Sequence, residues 1–261
     1  MKNEYFAAVG SEDFEKNGQQ IMQRVNKFVK ERTHDLIESV LNEPLKADTV
    51  MFLLNSIYFK AYWTNMFHRH WTHKSSFHNS DQTESTVDFL SEDQLGYRHK
   101  IDTENNVTLL EMDYLGNASM IFVLPHERYG LQRVMDTITY EQIENIFASS
   151  KTSKIPVKLP KFKFEFEADL KSILPKMGLS SIFEKPDLSG IAPNIKVSDA
   201  KHKALISVDE GGTEAAAITT LRIIPTSLFT GPEFTADHPF LFFIRDKKSG
   251  LNLFDGCVNK V

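Results

Sequence analysis

The run TVMFLLNSIYFKAYW, Thr49 to Trp63, is apolar almost without interruption and rich in β-branched and aromatic residues. Such a run reads as a strand buried on both faces, with Asn55 the polar exception. A strand of that kind needs a layer on either side, so the chain must supply helices or further sheets to cover it.

The remaining segments supply both. QQIMQRVNKFVKERTHDLIESVL, Gln19 to Leu41, places Ile21, Val25, Phe28, Val29 and Leu36 at helical spacing, which predicts an amphipathic helix turning near Thr33. NVTLLEMDYLGNASMIFVLPHE reads as two strands joined by a turn at YLGNA, and LQRVMDTITYEQIENIFAS as a helix or helix pair. KIPVKLPKFKFEFEADL alternates Val157, Leu159, Phe162, Phe164 and Phe166 with Lys161, Lys163, Glu165 and Glu167, the period of a strand with one apolar face. DLKSILPKMGL predicts a short helix closing at Gly178. IKVSDAKHKALISVDE is a second long strand, and HPFLFFIRDKKSGLNLFDGCV a hairpin turning at DKKSG with buried apolar arms. There are no repeats or linkers, and the class is α+β, large sheets covered by helices.

At 261 residues the chain fits one large domain or two small ones. A net charge of −5 gives no bulk attraction to nucleic acid or to an anionic membrane. The lysine groups (Lys158, Lys161, Lys163; Lys201, Lys203; Lys247, Lys248) read as solvated faces. The one cysteine, Cys257, cannot form an intramolecular disulfide and is expected to be a buried small hydrophobe. No apolar stretch has the length of a membrane span, and MKNEYFAAVG lacks the apolar run of a signal peptide. Sequons occur at Asn106 and Asn117, and they matter only if the chain enters the secretory pathway.

Catalytic motifs are absent. FHRHWTHKSSFH holds His68, His70, His73 and His78, and a metal site using His68 and His70 on one strand face is conceivable. No acidic residue or cysteine stands at matching local spacing, so an exposed histidine-rich edge strand is the better reading. No GxSxG, HExxH, phosphate-cradling loop or paired-cysteine framework occurs, and no cofactor or metal is expected. One segment stays unexplained: VDEGGTEAAAITTLRIIPTSLF, Val208 to Phe229, long, small-residued and chemically bland.

Its first part, VDEGGTEAAAITT, resembles the proximal hinge of the reactive-centre loop of serpins. LLNSIYFKAYW, YLGNASMIFVLP, VKLPKFKFEFEADLKSIL, LSGIAPNIKVSDAKHKALISVDE and ADHPFLFFIRDKKSGLNLFDGCV are similar to successive serpin segments, in family order. The resemblance implies a single serpin domain over residues 1–261. It would have a large, mostly antiparallel central sheet A, sheets B and C, covering helices and an exposed reactive-centre loop at about 210–230. It also implies that roughly the first quarter to third of a full serpin domain is lacking. A truncated gene model, an isoform and one part of a cleaved protein all fit. In the family the lacking part includes a helix beneath the central sheet and one strand within it. Without them, apolar area at Leu53, Ile57 and the C-terminal hairpin is expected to be exposed.

The resemblance implies suicide inhibition. A serine protease attacks the loop and forms an acyl-enzyme, and the cleaved loop inserts into the central sheet between TVMFLLNSIYF and IKVSDAKHKALISV. A strand entering a packed sheet buries alternate residues, here Thr213, Ala215, Ala217, Thr219, Leu221 and Ile223, none of them charged. Glu214 and Arg222 fall on the other face, and Gly211 and Gly212 let the bend open. A flexible linker would carry Ser, Gly or Pro in place of Ile218, Leu221, Ile223 and Ile224.

By position, the loop hinge spans Glu210, Gly211, Gly212, Thr213, Glu214, Ala215, Ala216 and Ala217. Asn55 and His202 match the family's polar shutter pair, and Trp63, Lys161 and Glu210 its breach residues. Counting from Glu210 puts the reactive bond between Thr226 and Ser227, whereas counting back from DHPF gives Leu228 and Phe229. The first suits an elastase-like enzyme and the second a chymotrypsin- or cathepsin-like one. No Arg or Lys lies between Ile223 and Phe229, which disfavours trypsin-like targets. The sequons point to a secreted, extracellular glycoprotein, monomeric when full length, with an intracellular ovalbumin-like serpin as the alternative. Other readings are a non-inhibitory carrier, chaperone or storage serpin, an inactive fragment, and cross-inhibition of cysteine proteases.

Overall fold

A computed structural model describes residues 7–93, 95–193, 195–212 and 231–261. The chain divides into two compact units, Met1–Phe59 with Phe164–Ile206, and Lys60–Lys163 with Ser207–Val261.

In the first unit, helix α1 (Phe14–Arg32) starts at Asp13, whose carboxylate accepts from the Lys16 N–H. Lys30 and Arg32 in its last turn complement the helix dipole. It stops at Thr33, whose hydroxyl donates to the Val29 carbonyl and accepts from the Ile37 N–H, while His34 and Asp35 turn left-handed (φ 52° and 63°). The helix thus ends at the expected turn, and residues 37–41 do not resume it. Asn26 fixes that following segment: its Nδ2 donates to the Leu41 carbonyl at 2.7 Å and its Oδ1 accepts from the N–H groups of Val40 and Leu41. Ile21, Val29, Ile37, Val40, Leu41 and Leu45 form the resulting core.

Strand β1 (Phe52–Tyr58) lays Phe52, Leu54 and Tyr58 on that core. Its opposite face carries Leu53, 37% exposed, and an exposed Asn55. The expectation of a strand buried on both faces is therefore corrected: composition alone hid an alternation with one covered face. The expected exposure of apolar area is seen at Leu53 and, in the C-terminal hairpin, at Leu251 and Leu253. Ile57 is half-buried.

The second unit holds two sheets. Strands β2 (His73–His78), β3 (Glu84–Glu92), β8 (Val157–Pro160) and β11 (Phe234–Thr235) form one, in the order β11-β8-β3-β2. The other contains β4 (Gly96–Asp102), β5 (Val107–Asp113), β6 (Ala118–Pro125), β7 (Lys151–Lys154), β12 (Phe240–Asp246) and β13 (Asn252–Val258), antiparallel throughout in the order β13-β12-β6-β5-β4-β7. Its central strands β5 and β6 are buried on both faces. One face packs Val107, Leu109, Ile121 and Val123 against Val134 of α2 (Leu131–Thr137) and Ile143 and Phe147 of α3 (Tyr140–Ala148). Phe122 and Phe240 on the other face meet Phe234, Phe77 and Phe162.

The alternating run Val157 to Phe166 is not one strand. It breaks at Lys161: β8 pairs with β3, whereas β9 (Phe162–Asp169) belongs to a three-stranded sheet of order β1-β10-β9, with β10 spanning Asp199–Val208. β8 ends at Pro160, although the Lys161 N–H still donates to the Asp88 carbonyl of β3 at 2.8 Å, and period two runs through the break unchanged. Next come α4 (Leu170–Ile173), a 3-10 turn closed by left-handed Gly178 (φ 89°) as expected, and α5 (Ser181–Glu184).

Cys257 is exposed, against expectation. On the edge strand β13 it shares a face with exposed Leu253 and Asp255, so the apolar run around it conceals an outward position. That hairpin is accordingly buried along β12 and largely exposed along β13.

Candidate functional site

The two strands expected to part for the loop are direct neighbours. β1 and β10 run parallel, in register from Phe52 opposite Asp199 to Tyr58 opposite Leu205. Asn55 stands opposite His202, with Asn55 Oδ1 3.2 Å from His202 Nδ1. An amide oxygen only accepts, so Nδ1 carries the proton in this contact. The two side chains meet, although neither is fully buried. Asn55 is exposed and His202 half-buried: the cluster of Phe183 and Val197 covers this face at Ala200 but leaves the pair two residues further on open.

Glu210, Gly211 and Gly212, the described part of the expected hinge, lie within the second unit. The Trp63 N–H donates to the Gly211 carbonyl at 2.8 Å, and Tyr62 bridges Gly212 in antiparallel fashion. On its other side the same segment bonds to the β5–β6 turn, through Thr64 N–H to the Asp113 carbonyl and Leu115 N–H to the Tyr62 carbonyl. Trp63 is fully buried and stacks on Tyr114, with centroids 4.2 Å apart and planes 9° from parallel. Its Nε1 donates to the Asp209 carbonyl at 3.1 Å. Gly212 has φ 131°, and a Cβ there would lie 2.3 Å from the Ala61 carbonyl oxygen. Only glycine fits.

Two adjacent acids here are pushed in opposite directions. Glu210, 7% exposed, accepts from Lys161 Nζ at 2.9 and 3.2 Å and from the Thr72 hydroxyl at 2.8 Å. Burial alone would raise its pKa, but the Lys161 ammonium, a backbone N–H and Thr72 outweigh burial and hold it below the usual carboxylate range. For Asp209 burial wins: its pKa is raised despite the N–H groups of Gly211 and Gly212, with Glu210 adding repulsion and Lys161 partly offsetting it.

Of the expected breach set, Lys161 and Glu210 are joined directly, and Trp63 holds the neighbouring Asp209 carbonyl. Asp209, Thr72 and Tyr114 were missed. For Asp209 the signal existed, an aspartate just before a glycine pair, the usual composition of a side-chain-stabilised turn. Thr72 and Tyr114 lie far off in sequence and carry no local mark. Thr213, Glu214, Ala215, Ala216, Ala217, Thr226, Ser227, Leu228 and Phe229 lie outside the described residues.

Asn106 and Asn117 are both exposed in turns. The histidines do not form the conceivable metal pair. His68 precedes a 3-10 turn (Arg69–Trp71) and packs against the Trp71 ring, His70 lies within that turn, and only His73 and His78 lie on the edge strand β2. Among the described residues no group of three His, Cys, Asp or Glu side chains could hold a metal ion. Several of the lysines are engaged by acids: Lys158 by Glu233, Lys201 by Glu167, Lys203 by Glu165 and Lys247 by Asp113. No helix among the described residues is long and apolar enough to cross a membrane.

Comparison with known proteins agrees with this geometry. Residues 1–261 match the family Serpin (serine protease inhibitor). The chain is 40% identical to Iripin-2 of Ixodes ricinus over 268 aligned residues, covering 100% of this chain and 66% of that protein. It is 34% identical to intracellular coagulation inhibitor 2 of Tachypleus tridentatus, covering 100% and 65% respectively. The structure of thyroxine-binding globulin in complex with thyroxine superposes with a TM-score of 0.88 at 32% identity, covering 99% of this chain and 69% of that one. The chain thus spans about two thirds of the length of the relatives it matches.

Proposed function

The chain belongs to the serpin family, and from that premise we propose that the protein carrying it is a suicide inhibitor of serine endopeptidases that traps the enzyme by loop insertion. The observation that carries this reading is the direct parallel pairing of β1 with β10. A segment that leaves the end of β10 and folds back runs antiparallel to β10, and therefore antiparallel to β1 as well. Its insertion would exchange one parallel ladder for two antiparallel ones, which are slightly more stable per residue. Each new ladder bond nets about 0.5–1.5 kcal/mol and each buried aliphatic side chain about 1.5–3 kcal/mol. About ten inserted residues therefore release an amount comparable to the stability of a whole domain. The uncut state is metastable on this account.

The alternating set Thr213, Ala215, Ala217, Thr219, Leu221 and Ile223 carries no charge and no proline, which supports an inhibitor over a carrier or storage role. The cut falls between Thr226 and Ser227, with Leu228–Phe229 as the second candidate, and an elastase- or chymotrypsin-like enzyme is the target. Exposed Asn106 and Asn117 support secretion as a glycoprotein.

The test is incubation of the native protein with elastase-, chymotrypsin- and trypsin-like enzymes, beside a Thr213→Arg variant. Wild type should give a complex that survives SDS with one of the first two. The arginine must lose its water without a partner, at a cost of several kcal/mol, and each 1.4 kcal/mol slows insertion about tenfold. That variant should be cut without forming the complex. A wild type that is only cleaved, or a variant that traps equally well, would contradict the reading.

A further inference from the structure

The first bend of the reactive loop is held by more than the Lys161–Glu210 pair. The Asp209 carboxylate accepts from the Gly211 N–H at 2.8 Å and from the Gly212 N–H at 3.2 Å. Along the backbone, the Asp209 N–H donates to the Gly212 carbonyl at 2.9 Å, and the Gly212 N–H also reaches the Asp209 carbonyl at 3.2 Å. That same carbonyl accepts from Trp63 Nε1. Side chain and main chain of Asp209 thus close a tight turn onto the buried Trp63.

The turn is incompatible with a strand. A residue in a sheet needs φ near −120° to −140°, whereas Gly212 stands at +131°. A large φ change at Gly212 is therefore needed before the chain beyond it can run as a strand. Because that rotation moves the Gly212 carbonyl while leaving its N–H in place, the bond it breaks is the one from the Asp209 N–H to the Gly212 carbonyl.

We propose that Asp209 is the positioning residue that clamps the hinge shut: its carboxylate holds the Gly211 and Gly212 N–H groups and so keeps the Gly212 carbonyl on the Asp209 N–H, the bond that must open for loop insertion. The link to insertion rests on the serpin reading above; the clamp itself does not. The charged groups that act on the carboxylate are Glu210, which repels it, and Lys161, which attracts it more weakly. Burial pushes the Asp209 pKa up in the closed turn, and an opened, hydrated turn returns it to its ordinary value. The closed hinge therefore binds the Asp209 proton more tightly. By linkage, closure is favoured as pH falls through this raised range, and ionisation favours opening.

The test is amide hydrogen exchange at Gly211 and Gly212 in the native protein, with no protease present, for wild type, Asp209→Ala and Asp209→Asn. Losing two hydrogen bonds to a charged acceptor predicts at least about tenfold faster exchange at both glycines in the alanine variant. The asparagine variant, which keeps an acceptor oxygen, should stay close to wild type. Exchange at Leu110 and Phe122 in the β5–β6 core should not change in either. Corrected for intrinsic exchange rates, protection of the wild-type glycines should fall as pH rises just above the ordinary carboxylate range, and the asparagine variant should lose that dependence. Unchanged glycine exchange in Asp209→Ala, or equal acceleration in the core, would overturn the clamp. Failure of wild type to trap any protease would overturn the serpin reading and leave the exchange result standing.

Discussion

Removing either partner of the Lys161–Glu210 pair should destabilise the hinge unequally, and the inequality can be worked from the contacts. Glu210 is buried but still 7% exposed, and takes two short contacts from Lys161 Nζ and one from Thr72. The Lys161 side chain is 35% exposed and can rehydrate. Lys161→Met leaves a buried carboxylate with Thr72 as its remaining side-chain donor. Breaking a fully buried pair costs about 3–5 kcal/mol, and partial access to water should bring this down to about 2–3 kcal/mol. Glu210→Gln keeps an acceptor for Thr72 and frees the ammonium toward solvent, for about 1–2 kcal/mol. At this chain length each kcal/mol shifts the melting point by about 2–4 °C. A double-mutant cycle in urea should give a coupling of about 1–2 kcal/mol at neutral pH. The folded pKa of Glu210 is depressed, so its contribution is present above the unfolded value and is lost as pH falls through the folded one. Coupling should accordingly fade in acid. A neutral-pH coupling below about 0.3 kcal/mol, within the error of additive sites, would refute the claim that this pair braces the hinge.

Gly212→Ala should damage the hinge more than either charge change, because a Cβ would meet the Ala61 carbonyl oxygen at 2.3 Å and the φ is left-handed. Trp63 emission should shift toward that of a hydrated indole, and an unchanged spectrum would show that the turn tolerates a side chain. Peptide mapping of material from a secreting host should find glycan on Asn106 and Asn117, both exposed in turns; two unmodified asparagines would remove the support for secretion.

Legibility in the sequence followed the range of the interaction that decides each feature. The β5–β6 and β12–β13 hairpins, the α2–α3 pair and the Gly178 cap depend on neighbours in sequence, and all stand where periodicity and turn residues put them. The break at Lys161 was invisible because Phe162 and Phe164 continue the alternation of Val157 and Leu159 while the chain passes from one sheet to another. β1 and Cys257 failed for a shared reason: an apolar run reports composition, whereas exposure depends on which face finds a covering layer. At the site, Asn55, His202, Trp63, Lys161 and Glu210 were reached through family resemblance. Residue chemistry alone nominated none of them. Asp209 was within reach of turn chemistry, but Thr72 needed the fold to carry it to Glu210.

The central claim is that the loop after Gly212 enters the sheet between β1 and β10 once it is cut. The most direct test is the melting temperature of the native protein before and after a single cleavage between Ile223 and Phe229. Insertion of about ten residues, gaining of the order of 10 kcal/mol, should raise it by roughly 20–40 °C. A cleaved protein that melts at or below the temperature of the uncut one would mean that β1 and β10 stay paired and that this loop does not insert.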